Sequence, residues 1–167
     1  MSVPNLGAVV LDKRFLQKAI RLSIEKMALN EGGPFGAVVV RNDQIVGIGW
    51  NRVTAEECPD PTAHAEIVAI RDACRRLNTF ELRGCVIYSS CQPCPMCLAA
   101  IHWARIEQIY YAASREDAAA AGFDDAHIAD ELALEMQQSS LPICQALRDD
   151  AVVAFKAWER KADRTQY

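Results

Sequence analysis

His64-Ala65-Glu66 and Pro93-Cys94-Pro95-Met96-Cys97 are the two stretches that decide how this chain folds and what it binds. Cys94 and Cys97 form a Cys-x-x-Cys pair, and His64 lies 30 positions before Cys94 (94 − 64 = 30). Two thiolates and one imidazole suit Zn²⁺, which accepts tetrahedral nitrogen and sulfur ligation. Three protein ligands leave the fourth position to water, as in a catalytic rather than a structural site. His64, Cys94 and Cys97 are therefore predicted to bind one zinc ion per subunit.

Glu66 lies two residues after His64 and is predicted to be the catalytic proton carrier. Positions i and i+2 of a helix diverge by roughly 200°, but near a helix N-terminus both side chains can border one pocket. Zinc lowers the pKa of a water to around 7, and a nearby carboxylate can pass that water's proton to departing ammonia. The order His-x-Glu, then Pro-Cys-x-x-Cys, is the signature of zinc deaminases. The sequence therefore predicts hydrolysis of an amino group from a heterocycle.

The cysteine pair also has two other interpretations, a structural zinc site and a redox pair. Cys91-Gln92-Pro93-Cys94 is a second Cys-x-x-Cys, and Cys91 is the natural fourth ligand of a structural site. We interpret Cys91 instead as a buried residue at the end of a strand. The remaining cysteines are predicted to be small core residues: Cys58, Cys74, Cys85 and Cys144.

The composition is that of one globular domain of 167 residues, with 51% hydrophobic and 24% charged residues. A net charge of −4 and the lack of a long Lys/Arg run argue against a large nucleic-acid footprint, so no nucleic-acid partner is expected. No stretch has the roughly 18 apolar residues of a membrane helix, and Met1–Val10 offers no secretory signal. Clustered cysteines without an export signal are typical of metal chemistry, and we expect a cytoplasmic protein.

The pattern of turns and apolar positions predicts an α/β fold. The predicted elements are a helix from Asp12 to about Leu29, a hairpin of Ala37–Val40 and Ile45–Ile48, a helix Ala63–Leu77, a strand Cys85–Ser90, a helix Pro95–Arg105, a strand Gln108–Ala113, helices Ala118–Ala121 and Ala126–Met136, a strand Ile143–Leu147 and a helix Asp149–Lys161. Asp12 and Thr62 are the predicted N-caps of the first two long helices. Gly47 and Gly49 are expected to weaken the second strand or to mark a bulge. This order predicts a mixed sheet covered by helices on both faces.

The chain resembles the cytidine deaminase-like superfamily, and within it the bacterial guanine deaminases, from about residue 14 to residue 167. The resemblance rests on these stretches: Gly32–Ala37, Asn51, Asp60–Glu66, Cys91–Arg105, Ala118–Asp125 with its Gly-Phe-Asp-Asp ending, and the terminal Tyr167. It implies a three-layer α/β/α sandwich with a mixed five-stranded sheet. It also implies a single zinc-dependent deaminase domain over 1–167 and a homodimer whose C-terminal segment swaps between subunits.

The resemblance also implies substrate-site roles by position. Asn51 would hydrogen-bond the purine, and Phe35 and Trp103 would help form the base pocket. Asp125 would assist recognition or proton transfer, and Tyr167 would close the site. Each role has a plainer alternative: a strand-end turn for Asn51, core packing for the two aromatic residues, a helix cap for Asp125 and a frayed chain end for Tyr167. One departure is Gln92, where the family commonly has Glu, so that a charge next to the zinc ligands is missing.

The function that this resemblance implies is hydrolytic deamination of guanine to xanthine and ammonia by a zinc-activated water, in purine catabolism or salvage. Such an enzyme is an aminohydrolase acting on cyclic amidines, and its partner is a small purine. Guanosine deaminases share the Gly-Phe-Asp-Asp segment, and tRNA adenosine deaminases share the zinc motif; ammeline and cytosine are further alternative substrates. A zinc-stabilised binding module without catalysis is the alternative from a different class. Glu66 discriminates, because a structural site has no use for an unligated carboxylate beside the metal.

Overall fold

A computed structural model of the chain describes residues 10–56, 59–123 and 125–166. Contacts within the chain define two units, Met1–Asp125 and Ala126–Tyr167. The first unit contains α1 (Lys13–Ala28), β1 (Gly36–Arg41), β2 (Gln44–Trp50), α2 (Ala65–Leu77), β3 (Val86–Cys91), α3 (Pro95–Trp103), β4 (Gln108–Ala113) and α4 (Arg115–Ala120). The second contains α5 (Ala126–Ala133), a 3₁₀ helix (Met136–Gln138) and α6 (Arg148–Arg160).

In the part of the chain that the structure describes, the sheet has four strands in the order β2-β1-β3-β4. β1 is antiparallel to β2 and β3, whereas β3 and β4 are parallel. Val38 and Val40 of β1 pack with Phe15 and Leu22 of α1. The alternate residues of the strand contribute to a second core with α2 and α3. The predicted mixed sheet with helices on both faces is confirmed.

The prediction of a fifth strand is wrong for the described residues, because residues 143–147 form no strand. Leu147 has a φ of 52° in the left-handed region, which an extended strand does not contain. Its side chain is 76% exposed, and that of Ile143 is 54% exposed. These two apolar side chains of the predicted strand are therefore exposed rather than packed in a core. No helix among the described residues is long and apolar enough to cross a membrane.

The N-terminus of α1 lies where the sequence places it, and that of α2 does not. The Asp12 carboxylate accepts a hydrogen bond from Arg14 N at 2.9 Å and caps α1 as predicted. The prediction of Thr62 as the cap of α2 is wrong, because His64 occupies that position. The Thr62 hydroxyl instead donates to Asp60 Oδ1 at 2.7 Å, in a turn that delays the helix until Ala65.

Two glycines let α2 approach β2 closely. A Cβ atom at Gly49 would lie 2.1 Å from the Ala65 carbonyl oxygen, and one at Gly47 would lie 2.4 Å from that of Ala69. Since real Cβ atoms do not approach the backbone so closely, the lack of a side chain at these glycines allows the short distance between α2 and the sheet. Strand β2 runs through both glycines to Trp50, and its register with β1 shifts next to the Val39–Gly47 pair, in agreement with the expected bulge. This contact fixes the first turn of α2, which carries Glu66.

Candidate metal centre and active site

Two helix N-termini bring the predicted zinc ligands together. His64 is the N-cap of α2 and Cys94 is the N-cap of α3, and neither side chain caps its own helix. His64 Nδ1 lies 3.5 Å from Cys94 Sγ and 3.6 Å from Cys97 Sγ. One ligand atom from each of the three residues lies within 4.8 Å of the others. The predicted helix starts at both halves of the motif are confirmed.

The spacing of these atoms fits a tetrahedral zinc ion. Zinc binds sulfur at about 2.3 Å and imidazole nitrogen at about 2.0 Å, so tetrahedral angles place the two ligand atoms roughly 3.5 Å apart. The two nitrogen–sulfur distances match this value. The positive ends of two helices also meet here and favour thiolates over thiols. The donor set and its geometry therefore suit zinc.

The charge state of the cluster follows from its internal hydrogen bonds. A hydrogen bond with Cys97, followed by one with His64, lowers the pKa of Cys94 to about 4. The same Cys94–Cys97 contact, together with burial, raises the pKa of Cys97. The bond to Cys94 raises the pKa of His64. Of the two thiols, Cys94 is therefore the more readily deprotonated, and a bound metal would favour deprotonation of both.

Glu66 is buried beside the metal ligands and is held by its neighbours. Its Oε1 atom accepts a hydrogen bond from Ser89 Oγ at 2.8 Å, and its Oε2 atom lies 3.4 Å from Cys97 Sγ. Burial is the largest influence on its pKa, which it raises, while the bond from Ser89 opposes the rise. A carboxylate with a raised pKa is suited to accept a proton and give it back near neutral pH.

A cavity of about 290 Å³ opens onto the metal ligands. Its lining includes His64, Cys94 and Glu66. It also includes three residues that the family resemblance assigns to the substrate: Phe35, Asn51 and Asp125. The structure therefore brings six of the predicted site residues to one cavity, together with Cys97 behind Cys94.

Two predicted substrate residues, Trp103 and Tyr167, are not among the described residues that line the cavity. Trp103 ends α3 with 66% of its surface exposed, and the described lining of the cavity does not include it. Tyr167 lies outside the described residues. Their roles in the base pocket stay predictions.

Asn51 is oriented by backbone contacts. Its Oδ1 atom accepts hydrogen bonds from Gly33 N and Val53 N, both at 3.3 Å. The oxygen is therefore used by the protein, and the amide nitrogen is left to donate. Phe35, two residues after Gly33, packs edge-on against Phe123 with ring centroids 4.9 Å apart and forms an apolar wall.

The interpretation of Cys91 as a buried strand-end residue is confirmed. It ends β3, is buried, and its thiol donates to the Ser114 carbonyl oxygen at 3.4 Å. The metal-ligand group found among the described residues does not include it. A structural site with Cys91 as fourth ligand is therefore not what these residues form.

Sequence reasoning missed Ser89 and Arg115. Arg115 lines the cavity and binds the Asp125 carboxylate. A signal for Arg115 was available, because ligands bind at the carboxyl ends of parallel strands and Arg115 follows the end of β4. Ser89 lies two residues after the core residue Ile87, so strand alternation places both on the face that α2 covers.

Comparisons with known proteins cover nearly the whole chain. The family model of the cytidine and deoxycytidylate deaminase zinc-binding region matches residues 9–113. Guanine deaminase of Bacillus subtilis (strain 168) is 44% identical over 153 residues, which is 92% of this chain and 97% of that protein. The X-ray structure of guanine deaminase from Bacillus subtilis matches with a TM-score of 0.89 at 42% identity, covering 95% of this chain and 99% of that one. A tRNA-specific adenosine deaminase of Aquifex aeolicus (strain VF5) is 45% identical over 100 residues, 59% of this chain and 64% of that protein.

Proposed function

Because the chain belongs to the cytidine and deoxycytidylate deaminase family, a family of zinc-dependent deaminases, we propose that it hydrolyses guanine to xanthine and ammonia. The observation that carries the chemistry is the position of Glu66 beside His64, Cys94 and Cys97 at one cavity. The substrate is supported by the similarity to a guanine deaminase, which extends over 97% of that protein.

The division of labour in this reaction follows from the site. His64, Cys94 and Cys97 would hold one zinc ion per subunit, which when bound supplies the Lewis acidity that activates water. Glu66 accepts a proton from the attacking water at Oε2, while Ser89 holds Oε1. It delivers this proton to the ring nitrogen, then takes the second proton of the water from the new hydroxyl group and delivers it to the departing amino group. Water and guanine are thereby converted to xanthine and ammonia, with Glu66 restored.

The polar groups of the cavity suit guanine better than adenine. Guanine carries two acceptors, O6 and N7, on one edge, where adenine carries an acceptor and an amino donor. Asn51, whose oxygen is used by two backbone N–H groups, offers its amide nitrogen as a donor to that edge. Asp125 offers an acceptor to the N–H groups of the base. Phe35 and Phe123 would pack against the ring.

We propose a homodimer in which the C-terminal segment is exchanged between subunits. The support is that α5 and α6 have no buried residue in the described chain, although α6 carries the large apolar residues Val153, Phe155 and Trp158 on its surface. Exposed apolar surface of this kind marks protein contacts. Size-exclusion chromatography with light scattering should give twice the 18.5 kDa of one chain. A monomer at micromolar concentration would contradict the dimer.

The substrate is tested by ammonia release from guanine, guanosine, adenine, cytosine and a tRNA substrate. The zinc-loaded chain is compared with its Glu66→Ala variant. We expect guanine to have the highest kcat/KM, with xanthine as the product by chromatography. Faster turnover of guanosine would contradict the free base as the substrate. Equal ammonia release by the variant and the native chain would remove Glu66 from the mechanism.

A further inference from the structure

Arg115 makes a specific contact with a carboxylate of the cavity. Its Nε atom lies 3.0 Å and its Nη2 atom 2.8 Å from Asp125 Oδ1. Nη2 also lies 3.4 Å from the Asp125 carbonyl oxygen. Both side chains line the cavity and are about three-quarters buried, at 28% and 24% exposure. Charge-assisted bonds in such partly buried surroundings are stronger than those of surface ion pairs.

The backbone around Arg115 is anchored to the strand that leads into the zinc ligands. Ser114 caps α4 and forms a capping box with Asp117, which fixes the helix start. The Ser114 carbonyl oxygen accepts the hydrogen bond of the Cys91 thiol. Gln92 N donates to the Ala113 carbonyl oxygen at 2.9 Å. Arg115 therefore begins its helix at a point tied to the segment that ends in Cys94.

Asp125 follows the turn that ends α4, in which Gly122 N and Phe123 N donate hydrogen bonds to carbonyl oxygens of that helix. Gly122 has a φ of +90°, and the chain passes through Phe123 before it reaches Asp125. The Arg115–Asp125 contact joins residues 10 positions apart and ties the chain after this turn back to the start of α4. Both guanidinium bonds fall on Oδ1, so that among the described residues Oδ2 accepts no hydrogen bond. One oxygen anchors the loop, and the other is available to a ligand.

We propose that Arg115 is a positioning residue of the deaminase: it holds Asp125 so that Oδ2 faces the purine and accepts its N–H hydrogen bonds. The inference rests on the proposed function, because it assigns a substrate contact to Asp125. The planar fork of arginine suits this task, since two of its donors fix the direction of one carboxylate oxygen. A lysine at the same place would supply charge without that direction.

A double-mutant cycle tests whether Arg115 acts through Asp125. Arg115→Met, Asp125→Ala and the double variant are compared with the native chain in kcat and KM for guanine. We expect Arg115→Met to lower kcat/KM about 10- to 100-fold, the range for one lost charge-assisted contact. In the Asp125→Ala background the same change should cost less than about 3-fold, because the oxygen that Arg115 binds is gone. Arg115→Lys should fall between the native chain and Arg115→Met.

Two controls separate positioning from general damage. Arg83, whose side chain pairs with Glu81 at an exposed site, provides the matched variant Arg83→Met, which should keep native kinetics. Zinc content, measured by mass spectrometry, should stay native in all variants. Binding of xanthine by calorimetry repeats the cycle without turnover. Equal losses in both backgrounds, or native kinetics and xanthine binding in Arg115→Met, would overturn the proposal.

Failure of the Arg115 proposal can be distinguished from failure of the proposed function. If the native chain deaminates another base faster than guanine, the substrate assignment fails and the cycle is run with that base. Non-additivity would then still support Arg115 as the residue that positions Asp125. A native chain that neither deaminates a base nor binds xanthine would overturn both statements.

Discussion

Replacing Ser89 with alanine tests how the buried carboxylate of Glu66 is held. Ser89 is 1% exposed, and its hydroxyl is 2.8 Å from Glu66 Oε1. Loss of a hydrogen bond to a charged group costs about 1.5–3 kcal/mol. At roughly 2–4 °C per kcal/mol for a chain of this size, the Tm should fall by about 3–12 °C. If the same interaction energy is lost in the transition state, kcat/KM should fall about 10- to 100-fold.

The pH dependence of the Ser89→Ala variant should change in a defined direction. Burial raises the pKa of Glu66 and the bond from Ser89 opposes the rise, so removing the bond raises the pKa further. A general base acts in its ionised form, and activity is lost as pH falls through its pKa. The acid limb of kcat/KM should therefore move to higher pH in the variant.

Two measurements test this prediction. Steady-state ammonia release is followed from pH 5 to 9, roughly two units on either side of neutrality. Thermal unfolding of the zinc-loaded protein gives the Tm. Ser89→Thr keeps the hydroxyl and should keep the native acid limb, even if its extra methyl lowers the Tm. Ser23→Ala removes another buried hydroxyl, which donates to the Ile20 carbonyl oxygen at 2.8 Å on α1, and should leave kcat/KM unchanged. A native pH profile and native kcat/KM in Ser89→Ala would refute the reasoning.

Four further outcomes are expected. Glu66→Gln should lower kcat by about 10²- to 10⁴-fold in steady-state kinetics while zinc content stays native, and full activity would exclude Glu66 as the proton carrier. Removing the metal with a chelator should abolish turnover and lower the Tm, and adding zinc should restore both; activity that survives complete removal would contradict a metal-dependent reaction. Gly49→Ala should lower the free energy of unfolding by about 1–3 kcal/mol, because its Cβ would lie 2.1 Å from the Ala65 carbonyl oxygen; a native unfolding curve would show that α2 shifts freely. Cys91→Ser should keep the native zinc stoichiometry, since Cys91 bonds to Ser114 and not to the metal group, and metal loss in elemental analysis would identify it as a ligand.

The metal group could be predicted from the sequence because its geometry is local. His64 and Cys94 each begin a helix, and a helix start is readable from a nearby proline or an apolar period. Once both helices pack on the same sheet, their N-termini lie close together, so no additional sequence signal is needed to predict the metal site. Thr62 failed as a cap for an equally local reason, since Asp60 uses its hydroxyl in a competing turn.

In the second unit the two α-helices could be predicted from the sequence, but the conformation of residues 143–147 could not. Residues 143–147 contain apolar residues at intervals that fit a strand as well as an exposed loop. A strand needs a neighbour to pair with, and pairing is a tertiary property that a short apolar run does not encode. The left-handed Leu147, which breaks the run, has no signal in its residue type.

In the proposed mechanism the choice of substrate depends on the orientation of two polar side chains, which no sequence motif expresses. An asparagine is both donor and acceptor, and the residue name does not say which end meets a ligand. At Asn51 two backbone N–H groups bind the oxygen, so a ligand would meet the amide donor. At Asp125 an arginine takes one oxygen and leaves the other. In the proposed mechanism the reaction depends on the helix starts that carry His64 and Cys94, whereas the choice of base depends on the neighbours of Asn51 and Asp125. A change at Arg115 would then alter the choice of base without altering the metal site.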